Sequence, residues 1–301
     1  MSSETPTISG PEAEATAPSI RWSGITDIGR YRPNNEDSFL AVKFNGHEVN
    51  YLGKSGEASM VGSDYVFAIS DGMGGARSGE FASRVAVDRI TRLLPRSLRL
   101  NAAGIAGGFS DILLELFSAI HADLLQLGSS YAECSGMGAT LSLCWFRPGW
   151  MYFGHVGDSR VYYLPATGGF TQLTDDHTHV GWMRRKGELN EREARTHPRR
   201  NALQQSLGAG TQFIEPHIGA VGHRPGDRFL ICSDGLVDGL WDRRIEEIIR
   251  NHVALPGGPT VAQLLVDEAV LGSGRDNTTA LLVDIPQNEK PPPAPAGNPH
   301  G

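Results

Sequence analysis

Cysteine is scarce in this chain of 301 residues. Its three thiols, Cys134, Cys144 and Cys232, are too few and too scattered for a disulfide framework or a paired-cysteine zinc site. A reducing compartment is the expectation. Basic residues are in the minority, 27 Lys and Arg against 34 Asp and Glu, for a formal net charge of −7. That balance opposes general nucleic-acid binding, because a phosphate backbone calls for a basic face. No run of 18 apolar residues occurs, so no membrane span is expected. The first 20 residues have neither a basic start nor an apolar centre. This opposes a secretory signal and leaves a cytoplasmic protein as the expectation.

Proline is concentrated at the ends. Residues 1–20 and 286–301 hold nine of the 18 prolines. Neither end carries apolar surface to offset chain entropy, so both are expected to be disordered or polyproline-like. The last tail reads as solvated chain, with a ligand for a partner domain as the rival reading. The middle, about 21–285, has no linker long enough to separate two cores and reads as one domain. Runs at 65–70, 139–146, 151–156, 160–164, 228–232 and 278–285 have the length and composition of strands. Leu113, Leu116, Phe117, Ile120, Leu124 and Leu127 share one face of a helix over 111–127, stopped at Gly128. Further helices are predicted over 79–94, 242–250 and 260–270. Tight turns between consecutive strands predict antiparallel sheets. Helices grouped between strand runs predict an α+β layered sandwich rather than a doubly wound fold. Nothing in the composition accounts for the length of segment 45–62.

Carboxylates recur at the strand ends. The run 65–70 ends on Asp71 and Gly72, 151–156 leads to Asp158, and 228–232 leads to Asp234. Glu36 and Asp37 open another strand-like run, and Asp276 opens the last. One such Asp is adequately explained as a turn or cap residue. Five converging carboxylates would not stay ionised without cations. The ligands would be oxygen only, which selects hard ions, Mg²⁺ or Mn²⁺, over zinc. Several carboxylates from separate strands suit a two-metal centre for in-line displacement at phosphorus.

The glycine loop from Asp71 to Glu80 has a rival reading as a phosphate-binding loop. It lacks the Lys-Ser/Thr ending, and Arg77 stands where a dinucleotide-binding loop needs its third glycine. The glycines are read instead as bringing backbone close to a metal, with the Gly72 carbonyl as a ligand. Cys232 ends an apolar strand and reads as a buried structural thiol, not a nucleophile.

Seven motifs then appear in a telling order. They are Arg32-Pro-Asn-Asn-Glu36-Asp37, Asp71-Gly-Met-Gly-Gly75, Gly138-Ala-Thr-Leu141, Gly157-Asp-Ser-Arg160, Leu173-Thr-Asp-Asp-His177, Ser233-Asp-Gly235 and Arg275-Asp-Asn277. In this order the chain resembles the protein phosphatase 2C family, the metal-dependent serine/threonine phosphatases, and in detail its bacterial branch. The resemblance spans about 26–284. It implies a four-layer αββα sandwich, two antiparallel sheets flanked by helix pairs. It implies that Asp71 bridges two metals and the Gly72 carbonyl binds one. Asp234 and Asp276 would complete the first ion's shell, Glu36 and Asp37 would act at the second, and Asp158 would help hold a third. Arg32 would grip the substrate phosphate, as a guanidinium can donate two parallel bonds. Direct attack by a metal-bridging hydroxide follows, with no phosphorylated side chain.

The chain departs from some relatives at Met73, where they carry a His proposed to protonate the leaving oxygen. Metal-bound water near Asp158 is the expected substitute. His155 is a second candidate acid, weighed against a packed histidine, which is the stronger reading. His177 and His179 make a poor zinc pair, and His177 matches a position the family uses structurally. Residues 181–200 match the family's variable flap. Arg184, Arg185, Lys186, Arg192, Arg195, Arg199 and Arg200 face Glu188, Glu191 and Glu193 there, a local charge of 7 − 3 = +4. Arg184 and Arg185 are therefore expected to attract anionic phosphopeptides, against the rival of a solvated helix pair making surface ion pairs.

The resulting expectation is a phosphatase acting on phosphorylated Ser/Thr proteins, a cognate Ser/Thr kinase among them, and opposing that kinase. The alternative is a non-catalytic phosphatase-like module that binds a phosphoprotein. A related phosphohydrolase with another phosphoester substrate is weaker still. A degenerate module usually loses metal carboxylates, and here Asp37, Asp71, Asp158, Asp234 and Asp276 all remain.

Overall fold

The computed structural model describes residues 17–45, 48–75, 77–102, 108–210, 213–253 and 255–287. The tail expectations for 1–16 and 288–301 lie outside the described residues.

Two antiparallel sheets lie face to face. The first runs β10 (Thr171–Gln172), β9 (Arg160–Leu164), β13 (Arg228–Cys232), β14 (Thr278–Asp284), β1 (Ser19–Asp27) and β4 (Ser55–Ser59). The second runs β11 (Leu207–Gly208), β6 (Gly138–Ala139), β5 (Asp64–Met73), β7 (Leu141–Arg147), β8 (Trp150–Val156) and β12 (His217–Gly222). Off this path, β2 (Asp37–Phe44) pairs with β5, and β3 (Val49–Tyr51) pairs with β2.

Strand alternation builds three apolar layers. On β5, Tyr65, Phe67 and Ile69 meet Phe229, Ile231, Leu281 and Val283 between the sheets. Val66 and Ala68 point the other way, onto α1 (Ser78–Ala102) and α2 (Phe109–Ser130). On β14, Ala280 and Leu282 face α5 (Asp234–Gly239), α6 (Asp242–Asn251) and α7 (Val261–Gly272). Both faces of both sheets are therefore covered, which is why the central strands are apolar at nearly every position. This is the α+β, αββα sandwich that the motif order implied.

By length and composition α2 could cross a membrane, the one such helix among the described residues. Its apolar stripe is taken up by the core: Ile112, Leu113, Leu116, Phe117, Ile120 and Leu124 are buried there with Ala82, Ala86 and Ile90 of α1. The helix starts where Asp111 accepts the Gly108 N–H at 3.0 Å, satisfying an N-terminal donor.

Several expected boundaries shift. Strand β1 begins at Ser19, inside the segment assigned to a tail, because Ile20 is fully buried in the inter-sheet layer. The run 139–146 is two strands broken at Thr140. Helix α1 continues through Pro95, where the sequence reading stopped it. Segment 45–62 contributes two edge strands, β3 on the second sheet and β4 on the first. There Gly56 lies against the Trp22 ring, where a Cβ would clash.

Candidate metal centre

The antiparallel register of β2 and β5 sets Asp37 opposite Asp71. Thr140, at the strand break, fixes Asp71 from both sides. Its hydroxyl accepts the Asp71 N–H at 3.0 Å, and its own N–H donates to the Asp71 carbonyl at 2.8 Å. Asp234 is the first residue of α5, directly after β13. Asp276 precedes β14, the neighbour of β13. Asp158 sits in the turn between β8 and β9. Asn277 ties the β1–β2 loop down: its Oδ1 accepts the Glu36 N–H at 2.8 Å, and its Nδ2 donates to the Ile28 and Asn34 carbonyls.

These segments close a cleft of ≈ 320 Å³ lined by Arg32, Glu36, Asp71, Gly72, Met73, Asp158, Asp234 and Asp276. Asp37 lies beside it, 7% exposed. Arg32 reaches across, with Nη2 2.6 Å from Asp276 Oδ2 and Nη1 3.8 Å from Glu36 Oε2. The structure thus brings together Arg32 and all of the expected metal residues.

The cluster is electrostatically overloaded. Burial, then repulsion from Asp37 and Asp234, holds the Asp71 carboxyl well above the usual range. Burial, then Asp158 and Asp276, does the same to Asp234. Burial pushes Asp37 up to about 6 and, with Asp176 next, Asp158 up to about 7. Glu36 is raised by burial as well. Among the described residues, Glu36 Oε1, Asp37 Oδ1 and Asp234 Oδ1 are buried with no hydrogen-bond partner. Unpaired buried acceptors crowded by like charge call for cations. Among the described residues no three carboxylates, imidazoles or thiols close on one point as a ready-made cage. The donors are oxygens spread around a cleft, so carbonyl and water must complete any shell. That fits Mg²⁺ or Mn²⁺, which keep several waters.

Glycine has a further role here. A Cβ on Gly72 would run into the Gly79 carbonyl oxygen, so the glycine lets the start of α1 pack on β5. Gly74 and Gly75 adopt φ of +119° and +91°, conformations that favour glycine.

Other expected residues lie elsewhere. Arg184, on α3 (His179–Arg185), pairs with Asp242 at 2.8 Å. Arg185 lies 3.5 Å from Asp175 and donates to the Asp176 carbonyl. The structure does not bring either to the metal cleft. The segment carries α3 and α4 (Glu191–Thr196), lying over a small second cavity beside Asp158 and Asp234. His155 is fully buried, with Nδ1 2.8 Å from Ser142 Oγ and Nε2 near the Gly157 and Asp175 carbonyls. Burial, then His177, lowers its pKa to about 3, the behaviour of a packed neutral ring. His177 braces the Asp158 turn: its Nδ1 accepts the Gly157 N–H at 3.2 Å, and its backbone N–H donates to the Gly157 carbonyl at 2.7 Å. Cys232 is buried and its thiol pKa is raised by that burial. Thr140, Asn277 and Ser159, whose hydroxyl lies 2.9 Å from that of Thr140, stood inside quoted motifs without a role. Only strand register shows what they hold.

Residues 58–266 match the family model for Protein phosphatase 2C. The serine/threonine protein phosphatase PstP of Mycobacterium tuberculosis is 31% identical over 269 residues, covering 88% of this chain and 45% of PstP. A putative protein phosphatase 2C-type protein of Streptococcus pyogenes is 32% identical over 258 residues, covering 86% of this chain and 94% of its own length. The PstP catalytic domain, solved in complex with two manganese ions, shares the fold with a TM-score of 0.66 and 28% identity, covering 90% of this chain and 100% of that one. The chain spans about half the length of the mycobacterial relative. It belongs to the protein phosphatase 2C family, and the curated relatives it matches are named as protein phosphatases.

Proposed function

We propose that this chain is a metal-dependent protein serine/threonine phosphatase that removes phosphate from phosphoserine and phosphothreonine and opposes a Ser/Thr kinase in a bacterial cytoplasm. One observation carries the reading. Carboxylates from five separate segments meet in one cleft, and Glu36 Oε1 and Asp234 Oδ1 in it, with Asp37 Oδ1 beside it, are buried without any donor. The manganese held by the PstP domain supports Mn²⁺ or Mg²⁺ as the cofactor. The three cysteines, all free and buried, suit a reducing compartment.

Asp71, Asp234 and Asp276 would hold a first ion, Asp71 and the Gly72 carbonyl with Glu36 and Asp37 a second, and Asp158 would help hold a third. When bound, the ions would supply hydroxide at neutral pH and positive charge at the phosphoryl oxygens. Arg32 and Asp276 now neutralise each other. With Asp276 engaged in holding an ion, Arg32, whose side chain is 43% exposed, would be free to donate to two phosphoryl oxygens. Oxygen from water adds to phosphorus and the bond to the seryl or threonyl oxygen breaks. That oxygen needs a proton. Met73 has none to give, and both ring nitrogens of His155 are engaged away from the cleft. The proton therefore comes from water beside Asp158. The flap is the proposed substrate-facing element, with Arg184 and Arg185 acting through its local positive charge rather than by contact at phosphorus.

The test is phosphate release from phosphoserine and phosphothreonine peptides, with Mn²⁺ and with EDTA. Release that needs the metal supports the proposal. No release under either condition would leave a phosphoprotein-binding module instead.

A further inference from the structure

Asp37 is held by an unusual number of hydroxyls. Ser233 Oγ lies 2.7 Å and Thr279 Oγ1 2.6 Å from the same oxygen, Asp37 Oδ2. Thr279 Oγ1 is also 2.7 Å from Thr26 Oγ1, and Asn35 Nδ2 donates to Thr26 Oγ1 at 2.8 Å. Asn35 Oδ1 in turn accepts the Asp37 N–H at 3.1 Å. The ring of contacts closes on the residue where it began.

Most of the donors and acceptors in this ring are fixed by their chemistry. The Asp37 N–H can only donate, so the Asn35 oxygen faces it and the Asn35 nitrogen faces Thr26. Thr26 Oγ1 accepts from Thr279 Oγ1 as well as from Asn35 Nδ2. Thr279 Oγ1 faces two acceptors with one proton, Thr26 Oγ1 at 2.7 Å and Asp37 Oδ2 at 2.6 Å, and the contact to the carboxylate is the stronger. Ser233 Oγ accepts the Thr279 N–H at 3.0 Å and likewise spends its proton on Asp37. Asp37 Oδ2 is therefore saturated by two donors, while Oδ1 has none. Ser233 and Thr279 are fully buried, so water does not replace either donor.

We infer that Thr279 and Ser233 are positioning residues whose hydroxyls fix the Asp37 carboxylate so that Oδ1 alone is presented to a divalent ion or its water shell. The inference rests on the proposed metal dependence and adds residues to it. Outer partners of this kind typically change metal affinity about 10- to 100-fold. Thr279→Val keeps the shape and removes the proton. Thr279→Ser keeps the proton.

The experiment measures Mn²⁺ affinity of the full chain by calorimetry, with the melting temperature in EDTA as the fold control. Thr279→Val is expected to weaken Mn²⁺ binding about 10-fold or more. Thr279→Ser is expected to bind within about 2-fold of the parent, and Ser233→Ala, which removes the other donor, to weaken binding about 10-fold. Parent-like affinity in Thr279→Val overturns the inference. If that variant does not fold, Ser233→Ala decides, and parent-like affinity there overturns it equally. Asp71→Asn separates the two levels. If Asp71→Asn also binds Mn²⁺ like the parent, the metal reading itself fails. If Asp71→Asn loses Mn²⁺ and Thr279→Val does not, only the positioning role fails.

Discussion

Asp37 and Asp71 stand opposite each other as Cα partners on antiparallel β2 and β5, and their carboxyls repel across that pairing. The strand register itself thus places two acids together in a buried setting. A fold that keeps such a pair stores repulsion that a bound cation relieves.

Asp71 is the residue on which this repulsion converges. Replacing it with Asn removes the charge but keeps the shape. Mn²⁺ affinity is expected to fall about 100-fold or more, since an inner ligand exceeds the 10–100-fold typical of outer ones. The melting temperature in EDTA is expected to rise, because a crowded buried charge is gone. Calorimetry and thermal unfolding on one sample check both. A variant that melts lower in EDTA and still binds Mn²⁺ contradicts the assignment.

The same crowding sets a pH dependence. Burial holds Asp37 near 6 and Asp158 near 7 in the fold, against 3.8 ordinarily. Between those values the folded chain binds more protons than the unfolded one. These groups therefore contribute stability that is complete below 3.8 and lost as pH rises through about 6 to 7. In EDTA the melting temperature should fall from about pH 5 to about pH 8, and saturating Mn²⁺ should remove most of that fall. A melting temperature that climbs with pH in EDTA would count against the cluster.

Gly72 supplies a purely steric prediction. A methyl group there meets the Gly79 backbone, which cannot swing aside as a side chain would. Gly72→Ala should cost about 1–3 kcal/mol in denaturant unfolding. Unchanged stability would show that α1 does not pack on β5 this closely.

The flap is tested at Arg184. Its pair with Asp242 is partly exposed, with side chains 28% and 19% accessible, so Arg184→Ala should cost no more than about 1 kcal/mol. The local positive charge falls as well. KM for an acidic phosphopeptide is expected to rise at low salt, while kinetics on p-nitrophenyl phosphate, which has no peptide, stay as they were. Equal effects on both substrates would take the flap out of substrate attraction.

Much of the site was legible in the sequence. Asp71, Asp158 and Asp234 each follow an apolar run that ends abruptly, and Asp-Gly or Asp-Ser after such a run is a local signal. The long helices announced themselves by spacing, as Leu113, Leu116, Phe117 and Ile120 did. Thr140, Thr279, Ser233 and His177 were not legible as holders of the acids. A hydroxyl or imidazole acquires that role only from the strand or turn that packs beside it, and Thr279 is 242 residues from Asp37 in sequence. Strands β1 and β12 escaped for another reason. Gly24 and Ser23 in one, and Gly219 and Gly222 in the other, blunt the apolar signature, although Ile20 and Trp22 bury in the core. Arg184 and Arg185 looked free because sequence shows charge but not partners, and Asp242 and Asp175 lie elsewhere in the chain.

The most direct test is a crystal of the chain grown with Mn²⁺ and measured at the manganese absorption edge. Two anomalous peaks flanking the Asp71 carboxylate, with Asp234 or Asp276 at one and the Gly72 carbonyl at the other, are the result expected. Manganese bound only away from this cleft, or absent from it at saturating Mn²⁺, would contradict the account.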